Sequence, residues 1–381
     1  MPTTAVRDSL VDAARALRPT LLAHRDEAER LGHLHPKVVA AAGAAGMFRL
    51  TAPRRVGGLQ LPLPAQHAVW EELARTDSTV AWCSWNCAPA GYFAAFLPPE
   101  AAAEVYADPD ACFGWSGVSG ALAAPVTGGV TVTGRWPVVS GAEVSAWFAL
   151  SCRLAPRGDG EGRVPAVLFV PADAVEIHDT WRSGTFRATG SHAVSLADRF
   201  VPHELVWRPD VAPVDDDPLY RLGPGVLIAP ALGPLAVGLA SSAFDAMRDL
   251  TQRVSASTRA AIRDRAHVQE AAADAGAVLR AARLAHGSAA EALWDAAEEG
   301  HDTRAARADL WSASFLAVEA AISAVDRLHR VSGIDALVAG NVLDRALREV
   351  HAVAGWIDAF RPLKAAAGRV ALGLEPDHVM F

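Results

Sequence analysis

The sequence predicts an α+β chain in three parts: a helical segment, a β-rich segment and a second helical segment. Three observations predict it. Apolar residues recur at helical spacing before residue 110. From 111 to 207 the texture changes to short runs rich in Val, Phe, Trp and Thr, separated by Gly, Pro and Asp. After about 222 four long helical segments follow one another with short joints. The 381-residue chain is long enough for two or three cooperating units. The expected boundaries are 1–109, 110–212 and 213–381.

In the first part, Val11, Ala14, Leu17 and Leu21 share a helix face, as do Val38, Val39, Ala42 and Met47. The stretch TAPRRVGGLQLPLP, 51–64, is a Pro/Gly-rich connector, and a helix over about 65–76 follows. Asp77 or Ser78 caps the next helix, and Pro98 and Pro99 open another. In the middle part Val130, Val132 and Gly134 alternate with Thr131 and Thr133, and Thr127-Gly128-Gly129 reads as a hairpin turn. This block is expected to be a separate antiparallel β-domain, with PRGDGEGR, 156–163, as a surface loop. The last part reads as helices over 224–254, 264–299, 303–332 and 340–371. At 1.5 Å per residue each spans roughly 40–50 Å, the pattern of an antiparallel four-helix bundle.

Composition narrows the function. Hydrophobic residues make up 51% of the chain, which suits a globular protein. The net charge of −8, with no long basic stretch, argues against nucleic acid as a partner. No apolar run reaches about 18 uninterrupted residues, so no membrane span is expected. The N-terminus has no apolar signal-peptide core. Cys83, Cys87, Cys112 and Cys152 are read as buried free thiols in a reducing cytoplasm, and no metal site is expected.

No GxGxxG after a strand, P-loop, GxSxG elbow or HExxH is present. Two stretches carry the candidate chemistry instead. In GGVTVTGRWPVVSGAEVSAWF, 128–148, a strand bearing Trp136 leads to a polar turn at Ser140-Gly141. Gly141 lets backbone approach a flat ligand, and a hydroxyl there can exchange a hydrogen bond with a heterocycle's edge. The same residues also suit a hairpin with core tryptophans. HDTWRSGTFRATGSHAV, 178–194, strings together Trp181, Gly184, Thr189, Gly190, Ser191 and His192. It is too polar and Gly-rich for a central strand, and either lines a pocket or crosses between strands.

GRWPVVSG, DTWRSG, ATGSH and the C-terminal REVHAVAGW, in this order between helical segments, resemble the acyl-CoA dehydrogenase superfamily. Within it they resemble the flavin-dependent, two-component monooxygenase branch. The resemblance implies an N-terminal helical domain, a central antiparallel β-barrel-like domain and a C-terminal four-helix bundle, assembled as a homotetramer. It implies a reduced flavin, FMNH2 or FADH2 supplied by a separate reductase, between the β-domain and the bundle. With O2, a C4a-(hydro)peroxyflavin would oxygenate a small aromatic or nitrogen-containing substrate. Ser140 matches the position beside the ring's N5 edge, with Trp136, Gly141, Trp181 and Ser191 near the cofactor. Arg259 matches a phosphate-binding arginine, with Arg253 and Arg263 as rivals. Trp85, Asn86 and Tyr92 either line the substrate pocket or are core residues, with Ser116 and Trp356 as further pocket candidates.

The remaining choice is between oxygenase and dehydrogenase. A dehydrogenase acting on a thioester needs a carboxylate to take the α-proton. Glu349 is the carboxylate on the late helix, but it does not match the usual glutamate-bearing motif. The face marked by Leu343, Leu347, Val350 and Ile357 sets His351 at the apolar edge and Glu349 toward solvent. That favours an oxygenase with His351 and Ser140 as its catalytic residues. The chain departs from the branch in carrying Trp356 where a second histidine is common, and Pro89 or Ala90 where another is common. A flavin-free, non-catalytic homologue is the third class of reading.

Overall fold

The computed structural model describes residues 2–156, 162–252, 261–338 and 340–378. In chain order the first helices are α1 (Pro2–Ala16), α2 (Arg18–Leu31), α3 (Pro36–Ala44), α4 (Leu63–Thr76), α5 (Ser78–Ala94) and α6 (Pro99–Val105). The strands follow: β1 (Cys112–Ser116), β2 (Leu122–Val126), β3 (Gly129–Val139), β4 (Ser145–Leu154), β5 (Val164–Pro171), β6 (Glu176–His178), β7 (His192–Pro202) and β8 (Val206–Trp207). The chain closes with α7 (Pro218–Arg221), α8 (Leu232–Leu250), α9 (Ala266–Glu298), α10 (Arg304–Val331), α11 (Val342–Asp358) and α12 (Arg361–Ala371). Two compact units result: Met1–Arg15, Pro62–Ala81 and Leu222–Phe381 form one, and Ala16–Leu61 with Trp82–Arg221 form the other.

The second unit carries the sheet, in the order β6-β7-β3-β2-β4-β5-β8, with β1 also paired to β4. The expected hairpin is present: Val126 pairs with Gly129, and Gly128 takes φ +80°, the left-handed conformation such a turn requires. Along β3 the buried residues Val130, Val132 and Trp136 fall on one side of the pleat. The sheet is mixed, however, and not antiparallel throughout. β1 and β2 both run parallel to β4. Alternation in a sequence marks which face of a strand is buried; it carries no sign of strand direction, so the parallel pairs were not visible there.

The first unit packs the long helices. α9 and α10 lie along each other, α8 packs on α4 and α10, and α11 and α12 pack on α10. Alanine makes the close approach possible: Ala282, Ala317 and Ala320 meet Val237 in one cluster, and Ala308, Ala367 and Leu363 surround Trp311 in another. Residues 224–250 and 304–331 are long and apolar enough to cross a membrane, yet 89% and 67% of their most apolar windows are buried inside the protein. The expected helix over 340–371 is two helices, broken before Arg361-Pro362. Pro362 has no N–H to reach the Asp358 carbonyl and its ring crowds that oxygen, so the first helix cannot run through it, and Phe360 departs to φ −101°, ψ 14°.

Candidate functional site

The Ser140-Gly141 turn ends β3. Gly141 adopts φ +73°, and its N–H donates to the Thr189 carbonyl at 2.6 Å, which ties the turn to the segment entering β7. This brings the two polar stretches together. A chain of buried hydroxyls runs through the contact. Trp82 Nε1 donates to Ser140 Oγ at 3.1 Å, Ser140 Oγ lies 2.8 Å from Ser191 Oγ, and Ser191 Oγ lies 2.6 Å from Thr189 Oγ1. Thr189 Oγ1 ends the chain on the Phe186 carbonyl at 2.8 Å.

That last contact fixes the direction of the whole chain. A carbonyl only accepts, so Thr189 donates to it. Ser191 must then donate to Thr189, and Ser140 to Ser191. Ser140 Oγ therefore accepts from the indole, gives its hydrogen away, and has one acceptor site left.

Trp181 is half-buried, with its edge pinned by an Nε1–H bond to the Phe186 carbonyl at 3.0 Å. His192 Nδ1 accepts from the Thr180 and Trp181 backbone N–H groups at 3.1 and 3.2 Å. Ser116 Oγ and Trp115 Nε1 on β1, and Thr185 Oγ1, are buried atoms without a hydrogen-bond partner among the described residues. Orphaned buried donors call for a ligand or water to satisfy them. Trp115 and Ser116 are consecutive on β1 and point to opposite faces of the strand, so no more than one of them meets a given ligand. A flat heterocycle carrying an N–H fits the spare acceptor site of Ser140.

Other expected residues are packed differently. Trp136 is fully buried and its Nε1–H bonds to the Ser151 carbonyl at 2.7 Å, so it is a core side chain and offers no free face. Tyr92 is also core, with its hydroxyl on the Tyr220 carbonyl at 3.1 Å. Trp85 is buried edge-on against Trp82, and Asn86 Nδ2 donates to the Trp82 carbonyl at 3.0 Å. Arg259 and Arg253 lie outside the described residues. Arg263 is exposed and its guanidinium bonds Gln252.

In the first unit the expectation for α11 is reversed. His351 is exposed, its side chain at 51%, with Nε2 3.1 Å from Asp326 Oδ1. Glu349 is buried at 1% exposure, hydrogen-bonded by Ser78 and 3.3 Å from Arg345, which also faces Asp77 at 3.7 Å. The buried stripe is Leu343, Ala346, Glu349, Val350, Val353 and Ile357. Taking Leu347 rather than Ala346 as its marker turns the predicted face away from Glu349 and toward His351. Trp356 is 38% exposed. Asp77 is the cap of α5, accepting from the Thr79 N–H at 3.0 Å.

The four cysteines are buried free thiols, with Cys87 and Cys112 sulfurs 3.6 Å apart. Burial pushes the Cys87 thiol well up, and Cys112 adds to the shift, so it is a poor nucleophile. Among the described residues, His24, Glu27 and His35 bring possible ligand atoms within 4.8 Å of one another. Their imidazoles stack 4.2 Å apart at 3°. Imidazole lone pairs lie in the ring plane, so two parallel rings do not aim at one ion, and the cluster has no metal geometry.

Comparison with known proteins settles the family. Residues 4–96 match the acyl-CoA dehydrogenase N-terminal domain and residues 231–359 its C-terminal domain, together more than half the chain. The chain belongs to the acyl-CoA dehydrogenase superfamily. It is 29% identical over 272 residues to an indole-3-acetate monooxygenase from Pseudomonas putida, covering 71% of this chain and 69% of that protein. It is 28% identical over 377 residues to the oxygenase component of an FADH2-dependent resorcinol hydroxylase from Rhizobium sp., covering 92% and 90%. The crystal structure of 3-HSA hydroxylase from Rhodococcus sp. RHA1 superposes with a TM-score of 0.89 at 24% identity, covering 98% of this chain and 99% of that one. This superfamily member thus has the expected helical, β and helical order. Trp82 and Phe186, the two ends of its hydroxyl chain, are passed over by sequence reading. Trp82 lies 58 residues from Ser140, and Phe186 enters the chain through its carbonyl while its ring packs on Trp82 with centroids 5.0 Å apart.

Proposed function

We propose that the chain is the oxygenase component of a two-component flavin-dependent monooxygenase. It takes FMNH2 or FADH2 from a separate reductase, with O2, and oxygenates a small aromatic or nitrogen-containing molecule. Bound reduced flavin supplies the two electrons that let one oxygen atom of O2 enter the product while the other leaves as water.

The observation that carries this reading is the direction of the hydroxyl chain. Ser140 Oγ has only acceptor capacity to spare. If it stands at the N5 edge, as the resemblance implies, it receives the N–H of a reduced ring and has nothing to offer the lone pair of an oxidised one. Gly141, Ser191 and Trp181 then hold the turn and one wall of the cofactor site, and Ser116 gives its unpartnered hydroxyl to the ligand. Trp85 and Asn86 back Trp82, the donor to Ser140, from the core. Asp326 accepts from His351 Nε2–H, which leaves the Nδ1 lone pair for a substrate proton. Trp356 supplies an exposed aromatic face.

A dehydrogenase reading requires a free carboxylate late in the chain. Glu349 is sealed and committed to Ser78 and Arg345, which disfavours it. The same proposal has the chain acting in the cytoplasm as a homotetramer. Four free thiols suit a reducing compartment, and exposed Leu284, Leu316 and Leu372 offer apolar surface for subunit contact.

Rapid mixing of the reduced-flavin protein with O2 tests the reading. A transient absorbing species, formed before the oxidised-flavin spectrum, is the expected result. Direct reoxidation without a transient contradicts it.

A further inference from the structure

The first unit contains a pocket of about 360 Å³ that the proposed chemistry does not use. Residues of α1, α4, α8 and α9 line it. Part of its wall is apolar, with Val11, Pro64, Val237 and Ala290 among it, and two buried imidazoles, His67 and His286, stand side by side with ring centroids 4.9 Å apart. His286 Nε2 lies 2.9 Å from the Pro230 carbonyl. A carbonyl cannot donate, so Nε2 carries the hydrogen and Nδ1 carries a lone pair with no partner among the described residues. The Nε2–Cδ2 edge of the ring faces Gly233, so Nδ1 points away from α8. His286 is 4% exposed, and burial pushes it down to about 4. Desolvation, with His286 alongside, pushes His67 well down too, so neither ring repels a cation at neutral pH.

The rim supplies the complementary charge. Arg7 pairs with Asp8, Arg283 with Glu71 and Arg15 with Glu72. Glu291, exposed on α9 at the mouth, has no pairing partner among the described residues. A second small cavity shares Arg7, Pro64 and Glu291 with the first and adds Asp295 and Glu298. Gly287 sits inside the Ala-rich helix α9 and lines the pocket, and a Cβ there would meet nothing within 4 Å. Glycine weakens a helix interior, and here the space over it stays open.

We propose that this pocket is a binding site for a small organic ammonium. Its N–H groups donate to His286 Nδ1, its charge faces Glu291, and its carbon body lies on the apolar wall. An acceptor-only anion would face the unpaired Glu291, and the guanidinium donors it could reach, Arg7 and Arg283, are already paired with Asp8 and Glu71.

Calorimetric titration with cyclohexylammonium, cyclohexanol and cyclohexanecarboxylate tests the site. The ammonium is expected to saturate at one per chain, and the carboxylate not to bind. Losing a charge-assisted contact in Glu291→Gln should weaken the ammonium about tenfold. Gly287→Leu fills the open space without a backbone clash and should abolish binding while the protein stays folded by circular dichroism. This keeps the test free of the folding risk in replacing His286, and separates the pocket from any amine bound by the flavin-dependent site. No saturation by cyclohexylammonium, equal binding of the carboxylate, or unchanged affinity in Gly287→Leu would each overturn the proposal.

Discussion

The two units bury polarity in different ways. In the second, Trp82, Ser140, Ser191 and Thr189 form a neutral chain whose direction is set by one carbonyl. In the first, ionisable groups are buried: Glu349 against Ser78 and Arg345, and His286 against a carbonyl. The neutral chain does not titrate, so it can hold a ligand edge in one orientation across a wide pH range. Buried ionisable groups tie stability to protonation. Groups meant to move protons must stay reachable, and the exposed His351–Asp326 pair fits that need while Glu349 does not.

The sharpest break of this comparison concerns His351. His351→Ala should lower product formation by about 10²–10⁴-fold with little change in flavin affinity, measured by coupled turnover and anaerobic titration. If Glu349→Gln gave the larger loss of turnover at unchanged stability, the contrast between the two residues would be wrong. Next comes stability. Arg345→Met leaves the Glu349 carboxylate without its cation, and urea unfolding should show a loss of about 3–5 kcal/mol.

The pH response follows in size. His286 is held down to about 4 in the folded chain, against about 6.5 unfolded. Between these values the unfolded state binds the extra proton, so stability is complete above about pH 6.5 and falls as pH drops toward 4. The loss assigned to His286 is about 3 kcal/mol, read from urea midpoints across that range. His67 shifts in the same direction and adds to it. The smallest effect belongs to the hydroxyl chain. Ser140→Ala strands the Trp82 N–H and should cost about 1–3 kcal/mol, independent of pH from 5 to 8.

Much of the fold was legible because local rules fixed it. The Thr127-Gly128 turn, the Asp77 cap and the long alanine-rich helices follow from residues next to one another. The parallel pairing of β1 and β2 with β4 was not legible, since alternation is blind to strand direction. The face of α11 was misread because Ala346 and Leu347 are both apolar, and only packing decides which one is buried. In the candidate site, Ser140 and Ser191 stood out by their glycine neighbours. Their connection did not, because it spans 51 residues and needs the fold to form. Its direction came only from the carbonyl at its end.

The central claim is that this site selects reduced flavin through an acceptor-only hydroxyl. Anaerobic titration of the protein with FMNH2 and with FMN measures it directly, with the FAD pair alongside. The account predicts reduced flavin binding at least about tenfold tighter, a gap of one good hydrogen bond, and a narrower gap in Ser140→Ala. Equal affinity for the two redox states, or a gap unchanged in Ser140→Ala, would contradict it.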